Sequence, residues 1–233
     1  MDHFVEIYRH RAADYHRMVQ PEDADGNLLP ALERVAPLDG RRILDLGSGT
    51  GRLPLLLAGR AAQVVALDLH TGMLREHLRQ RELRGGSWPL LRGDMRALPV
   101  SAGWADVVTA GWAIGHFVGW YGAEWPAQID RVLKEMHRVV RPGGALIIVE
   151  TLTTGSLVPA PPNKGLARYY HRLETTWGFS RQQIRTDYQF DNVDDAVART
   201  EFFFGAELSA KVRANGWARL PEWSGVWGKS LQP

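Results

Sequence analysis

Gly47, Gly49 and Gly51 punctuate the chain just after an apolar run, Ile43-Leu44-Asp45-Leu46, that carries one acid. The spacing predicts a buried strand turning sharply into a helix, with bare backbone at the turn that a ligand can approach closely. Such turns lie at the carboxyl ends of parallel strands, where open α/β sheets bind nucleotide-like ligands. A dinucleotide fingerprint reads G-x-G-x-x-G and offers a helix N-terminus to a pyrophosphate. Here the third glycine comes one residue early, and Asp45 would repel a pyrophosphate while suiting a cationic ligand. His116, in Gly115-His116-Phe117, is the most interesting titratable group, because imidazole exchanges protons near neutral pH. It either takes a proton from a substrate hydroxyl or amine, or makes a hydrogen bond within a loop.

The elements that must position these groups follow from periodicity. Residues 1–38 read as two helices around a polar turn, Gln20 to Asn27. Strands are expected at Arg41 to Leu46, Ala62 to Leu67, Trp88 to Leu91, Ala105 to Ala110 and Ala145 to Val149. Helices are expected at Leu53 to Arg60, Thr71 to Leu83 and Ala127 to Val140, the last stopped by Arg141-Pro142-Gly143-Gly144. Strands alternating with helices imply an α/β fold with a doubly wound, parallel sheet. Thr151 to Ser180, rich in Pro, Gly and Tyr, reads as an insertion or lid without clear periodicity. Gln183 to Phe190 alternates as a strand, Asn192 to Asn215 is mostly helical, and Gly225 to Ser230 closes the sheet.

Composition sets bounds. The 233 residues suit a single domain, and a formal charge of +2 without any dense Lys/Arg run gives no nucleic-acid arm. No cysteine is present, which excludes disulfides, thiolate metal sites and a cysteine nucleophile. Met1 to Arg11 lacks the apolar core of a signal peptide, and no apolar run nears the ~20 residues that span a bilayer. A cytoplasmic protein, monomer or homodimer, with no nucleic-acid or membrane partner, is expected. The histidines and acids show no metal-ligand spacing, so no metal is expected.

Five segments together resemble the class I S-adenosylmethionine (SAM) methyltransferases. The glycine turn is similar to their first motif. Asp68 ends the second strand, where the family places an acid on both ribose hydroxyls, as a carboxylate accepting two hydrogen bonds can do. Gly93-Asp94-Met95 matches the loop whose acid accepts from the adenine amino group. Ala105-Asp106-Val107-Val108 with Gly111-Trp112 matches the fourth strand and the edge of the transfer site. Leu133 to Glu150 looks like the helix, turn and strand that follow. The resemblance covers about residues 40–151 and is nearest to the small-molecule, ubiquinone/menaquinone-biosynthesis-like branch; Ala12-Ala13-Asp14-Tyr15-His16 is similar to that branch's first helix. The Asn/Asp-Pro-Pro-Tyr motif of amino-methylating nucleic-acid enzymes is absent after the fourth strand.

The resemblance implies a mostly parallel, seven-stranded Rossmann-like sheet with helices on both faces and an antiparallel last strand. It implies a helical cap over 1–38, a SAM-binding core over 40–151, a lid over 152–182 and C-terminal strands and helix over 183–233. It assigns Tyr15, Asp45, Gly47, Ser48, Gly49, Thr50, Gly51, Asp68, Leu69, Met73, Asp94, Met95, Ala110, Gly111 and Trp112 to the cofactor. Asp45 is expected to take loop N–H groups as well as to face the ligand, and Met73 either lines the adenine side or packs in the core. Aromatic residues flank the presumed methyl site, so Trp112, His116, Tyr121, Tyr169 and Tyr170 are expected around a small acceptor. Glu150, His171 and Glu174 are weaker candidates than His116 for taking a proton, and the solvated surface is the better expectation for each. The reading is methyl transfer to a small molecule by in-line displacement, giving S-adenosylhomocysteine. A non-catalytic SAM-binding module and a dinucleotide oxidoreductase are the alternatives.

Overall fold

Three short helices lead the chain in the computed structural model, which describes residues 2–232. They are α1 (His3–His10), α2 (Ala12–Val19) and α3 (Leu28–Glu33). Met1 and Pro233, the outer bounds of the expected terminal segments, lie outside the described residues. The third helix departs from the expected pair. Asp23 turns the chain by accepting from the N–H groups of Asn27 and Leu28, and Pro30 sits in the first turn of α3, where its missing N–H costs nothing.

The core then alternates as the periodicity demands: β1 (Arg42–Leu46), α4 (Arg52–Leu57), β2 (Gln63–Asp68), α5 (Thr71–Leu83), β3 (Leu90–Arg92) and β4 (Ala105–Gly111). Next come α6 (His116–Trp120), α7 (Trp125–Val139) and the long β5 (Val140–Thr154). The C-terminal part holds α8 (Lys164–Thr175), β6 (Ser180–Arg185), β7 (Tyr188–Gln189), α9 (Val193–Phe204), α10 (Ala206–Asn215), β8 (Arg219–Leu220) and β9 (Glu222–Ser230).

Seven strands form one sheet in the order β3-β2-β1-β4-β5-β9-β6. Strands β1 to β5 pair in parallel, and β9 runs antiparallel to both of its neighbours. Alternate residues serve opposite faces. Leu44, Leu46, Val108, Leu146 and Ile148 meet α7 through Ile129, Leu133 and Met136. Ile43, Val107, Ile147 and Val149 meet α3 and α4 through Leu28, Leu32, Leu53 and Leu57. Each such fully buried side chain contributes about 1.5–3 kcal/mol of transfer free energy. Strand order reverses between β1 and β4, which opens a crevice at their carboxyl ends.

Two C-terminal expectations change. The segment 152–182 is not irregular throughout: α8 forms there, capped by the Asn163 side chain, which accepts from the Leu166 N–H. Gln183 to Phe190 is not one strand. Asp187 holds Arg185 and Arg219 and accepts the Glu222 N–H, so β6 stays in the main sheet while β7 pairs with β8 in a separate ribbon. Among the described residues no helix is long and apolar enough to cross a membrane.

Candidate active site

The turn after β1 is set by its glycines. Gly47 has φ +63°, and a Cβ there would stand 2.4 Å from that of Ala113; Gly51 has φ +96°, and a Cβ would meet the His77 ring at 2.5 Å. Side chains at these positions would be strained by backbone as well as by contact. The Ser48 N–H donates to the Leu67 carbonyl and the Gly49 N–H to Asp68 Oδ2 at 2.8 Å, tying the turn to the end of β2. The other oxygen of Asp68 accepts the His70 N–H at 2.7 Å. Burial pushes the Asp68 pKa up, and these backbone hydrogen bonds oppose that shift.

A narrow cleft of about 110 Å³ lies beside this turn. Most of the expected cofactor residues line it: Tyr15 from α2, Gly47 to Thr50, then Asp68 and Leu69 at the end of β2. Met73 of α5, Asp94 and Met95 after β3, and Gly111 and Trp112 after β4 complete the wall. Asp94 carries a fork of hydrogen bonds from Arg96, which holds its carboxyl below the usual range. Tyr121, expected at the acceptor, lines this cleft too.

Asp45, Gly51 and Ala110 line neither this cleft nor the wider cavity that adjoins it. Asp45 faces β4, where the Thr109 hydroxyl donates to it at 2.5 Å; burial pushes its pKa to about 7. The loop N–H expected at Asp45 goes instead to Asp68. Gly51 backs onto His77, and Ala110 is fully buried in the sheet.

A wider cavity of about 880 Å³ adjoins the cleft, and the two share Tyr8, Tyr15, Arg52, Trp112, His116 and Trp120. Trp112 has φ +51°, a conformation that costs a non-glycine residue about 1–3 kcal/mol. That backbone sets its indole between the two spaces, with the Arg52 guanidinium 3.5 Å over the ring. Tyr170 lines the wider cavity, whereas Tyr169 stands behind it with its hydroxyl reaching Glu150 at 3.5 Å. His116 Nε2 lies 2.8 Å from the Tyr8 hydroxyl, and its ring stacks on Trp120 at 5.0 Å. Burial drives the His116 pKa down to about 4.

Three groups in the wider cavity were underrated or missed as site residues. Glu150, expected at the surface, is 5% exposed and lines the cavity; the Gly115 N–H donates to it at 2.8 Å, and burial pushes its pKa to about 8. Arg52 and Glu22 form an ion pair at 2.6 Å, with the Glu22 side chain 2% exposed. The position of Arg52 directly after the glycine turn was a usable signal. Glu22 lay in a polar turn and carried none. His171 and Glu174 line neither of these cavities, Glu174 accepting instead from the Trp227 indole.

Residues 44–148 match a family described as the methyltransferase domain. A ubiquinone/menaquinone biosynthesis C-methyltransferase of Syntrophotalea carbinolica is 30% identical over 185 residues, 78% of this chain and 73% of that one. The chain belongs to the class I SAM-dependent methyltransferase family. A demethylmenaquinone methyltransferase of Thermus thermophilus is 36% identical over 132 residues, 56% of this chain and 53% of the relative. Among solved structures, phosphoethanolamine N-methyltransferase 2 of Haemonchus contortus superposes with a TM-score of 0.61 at 16% identity, covering 100% of this chain and 60% of that one. That likeness concerns the fold. The chain spans about half or less of the first curated relatives it matches: 22%, 53% and 47% of their lengths.

The residues lining the cleft of this methyltransferase-family chain have the chemistry that an adenosine-bearing cofactor needs. Each Asp68 oxygen spends one lone pair on a backbone N–H and keeps capacity for a ribose hydroxyl. A Cβ on Gly49 would meet nothing within 4 Å, so there is room beside the turn. Met73, Met95 and Phe117 supply apolar wall in the cleft that Asp94 also lines. A ligand longer than the narrow cleft would run past Tyr15 and Trp112 into the wider cavity.

Proposed function

We propose that the protein transfers a methyl group from SAM to a small-molecule acceptor, with the cofactor's adenosine in the narrow cleft and the acceptor in the wider cavity. The shared wall carries this reading: Tyr8, Tyr15, Arg52, Trp112, His116 and Trp120 border both spaces, so two molecules held there meet at one boundary. A volume of about 880 Å³ falls within the roughly 300–1,000 Å³ typical of small-molecule pockets, which favours an enzyme over a sensing module.

SAM supplies a methyl group on a sulfonium that departs as a neutral thioether. The protein's task is then alignment, an effect that can supply about 7–11 kcal/mol. Trp112 and Trp120 form flat walls along the boundary, and aromatic faces there would favour the sulfonium charge. His116, neutral through the physiological range and hydrogen-bonded to Tyr8, is placed to orient groups at the boundary. Methyl transfer from labelled SAM into a metabolite extract, with product masses rising by one CH₂ unit, tests the proposal. Transfer that is lost in Asp68→Ala supports it; no SAM binding by the wild-type protein refutes it.

A further inference from the structure

Resting on that reading, we propose that the acceptor is an amine that enters as its ammonium, and that Glu150 takes its proton. Glu150 lines the wider cavity from the carboxyl-terminal half of β5, and its Oε1 accepts from the Gly115 N–H and the Tyr169 hydroxyl, both neutral donors. Gly115 leads directly into His116, which borders both spaces, so the hydrogen bond from Gly115 ties the carboxylate to the backbone one residue before a boundary side chain. The other cavity carboxylates are differently engaged. Glu22 is paired with Arg52, and Asp2 accepts two N–H groups at the start of α1. Glu207 stands at the α10 side of the cavity with Lys211. Against the cations Arg52 and Lys211 this lining sets Asp2, Glu22 and Glu207 besides Glu150, so it carries no excess of positive charge to repel an ammonium. Aromatic faces from Phe4, Tyr8, Trp120, Tyr170 and Phe203 line the same space and suit an ammonium.

The groups facing Glu150 leave it the stronger base. Tyr169 and Tyr170 from α8 and Tyr8 from α1 all have pKa values raised by burial, so they stay neutral near physiological pH. His116 from α6 is drawn down to about 4 by burial, whereas burial lifts Glu150 to about 8. Glu222 on β9, with a pKa also raised by burial, lies within electrostatic reach of Tyr170. A base is most effective when its pKa lies near the working pH, and an ammonium docking beside Glu150 draws the carboxyl back toward ionisation.

The step balances. Glu150 accepts one N–H proton, and the freed nitrogen lone pair forms the N–C bond as the C–S bond breaks with its electrons left on sulfur. The methylated nitrogen carries away the positive charge that sulfur gave up, and Glu150 returns its proton to water.

The experiment uses the full chain with SAM labelled in its methyl group. A metabolite extract and a set of primary and secondary amines, each matched with the alcohol and carboxylic acid of the same skeleton, serve as acceptors. Wild type is expected to label amines, in the set and in the cation-exchange fraction of the extract. Glu150→Gln, whose amide oxygen still accepts the Gly115 N–H, is expected to keep SAM affinity within about twofold by calorimetry and to lose about 10²–10⁴-fold in kcat at pH 7.5. Its deficit should shrink toward pH 10, where the amine is already unprotonated, a change that a merely structural defect would not show. Label found only in neutral or acidic products, or in none despite SAM binding, overturns the proposal, as does a Glu150→Gln rate and pH profile matching wild type. Wild type that fails to bind SAM refutes the methyltransferase reading instead.

Discussion

Replacing Asp45 with Asn removes a buried titration from the sheet without changing side-chain shape. In the unfolded chain this carboxyl titrates at its ordinary 3.8; in the fold, burial lifts it to about 7, opposed by the Thr109 hydroxyl donating at 2.5 Å. The native state therefore binds more protons than the unfolded state between those values, and stability falls as pH rises through that window. From pH 5 to pH 8 about two units of the window are crossed, which at about 1.4 kcal/mol per unit amounts to about 3 kcal/mol. The amide introduced by Asp45→Asn would still accept from Thr109 but cannot titrate. Urea unfolding of both proteins at pH 5 and pH 8 reads the difference, and contributions from other groups, Glu150 included, cancel in the subtraction. The wild type should lose about 3 kcal/mol more than Asp45→Asn across that interval. Equal pH dependence in the two proteins would refute the buried-carboxyl reasoning and return Asp45 to a ligand-facing role.

Further outcomes follow from the same geometry. Asp68→Ala should weaken SAM binding by about 1.5–3 kcal/mol, the scale of hydrogen bonds to a charged group, in calorimetry; unchanged affinity would remove Asp68 from the site. Arg52→Ala leaves Glu22 buried with no cation beside it and should cost about 3–5 kcal/mol in urea unfolding, with Arg52→Met plus Glu22→Gln recovering most of it; a loss below about 1 kcal/mol would mean the pair behaves as a surface bridge. His116→Gln should lower the rate without removing any limb of the pH profile between 6 and 8, because the imidazole pKa lies near 4. A wild-type limb near 6.5 that vanishes in this variant would make His116 the base.

The central sheet was legible because parallel strands buried on both faces read as apolar runs, and β1, β2, β4 and the middle of β5 fall where such runs occur. Helix α8 was hidden by its surroundings. Leu166, Tyr169, Tyr170 and Leu173 have helical spacing and Asn163 is a good cap, but the preceding Pro159-Ala160-Pro161-Pro162 made the segment read as loop. The break between β6 and β7 depends on Arg219, over thirty residues away, and no local pattern could announce it. At the site, strand-end acids were visible but their surroundings were not. Glu150 and Asp68 end similar apolar runs; only the packing of α6 and α8 over β5 shows that Glu150 faces a cavity rather than water. Asp45 shows the converse, a motif acid whose partner, Thr109, sits on a neighbouring strand in register.

A crystal structure of the protein with S-adenosylhomocysteine bound bears most directly on the account. The ribose hydroxyls should lie within hydrogen-bond distance of the Asp68 carboxylate, with the sulfur at the boundary beside Trp112. A nucleoside lodged away from the glycine turn, with Asp68 still holding backbone N–H groups and no ribose, would contradict it.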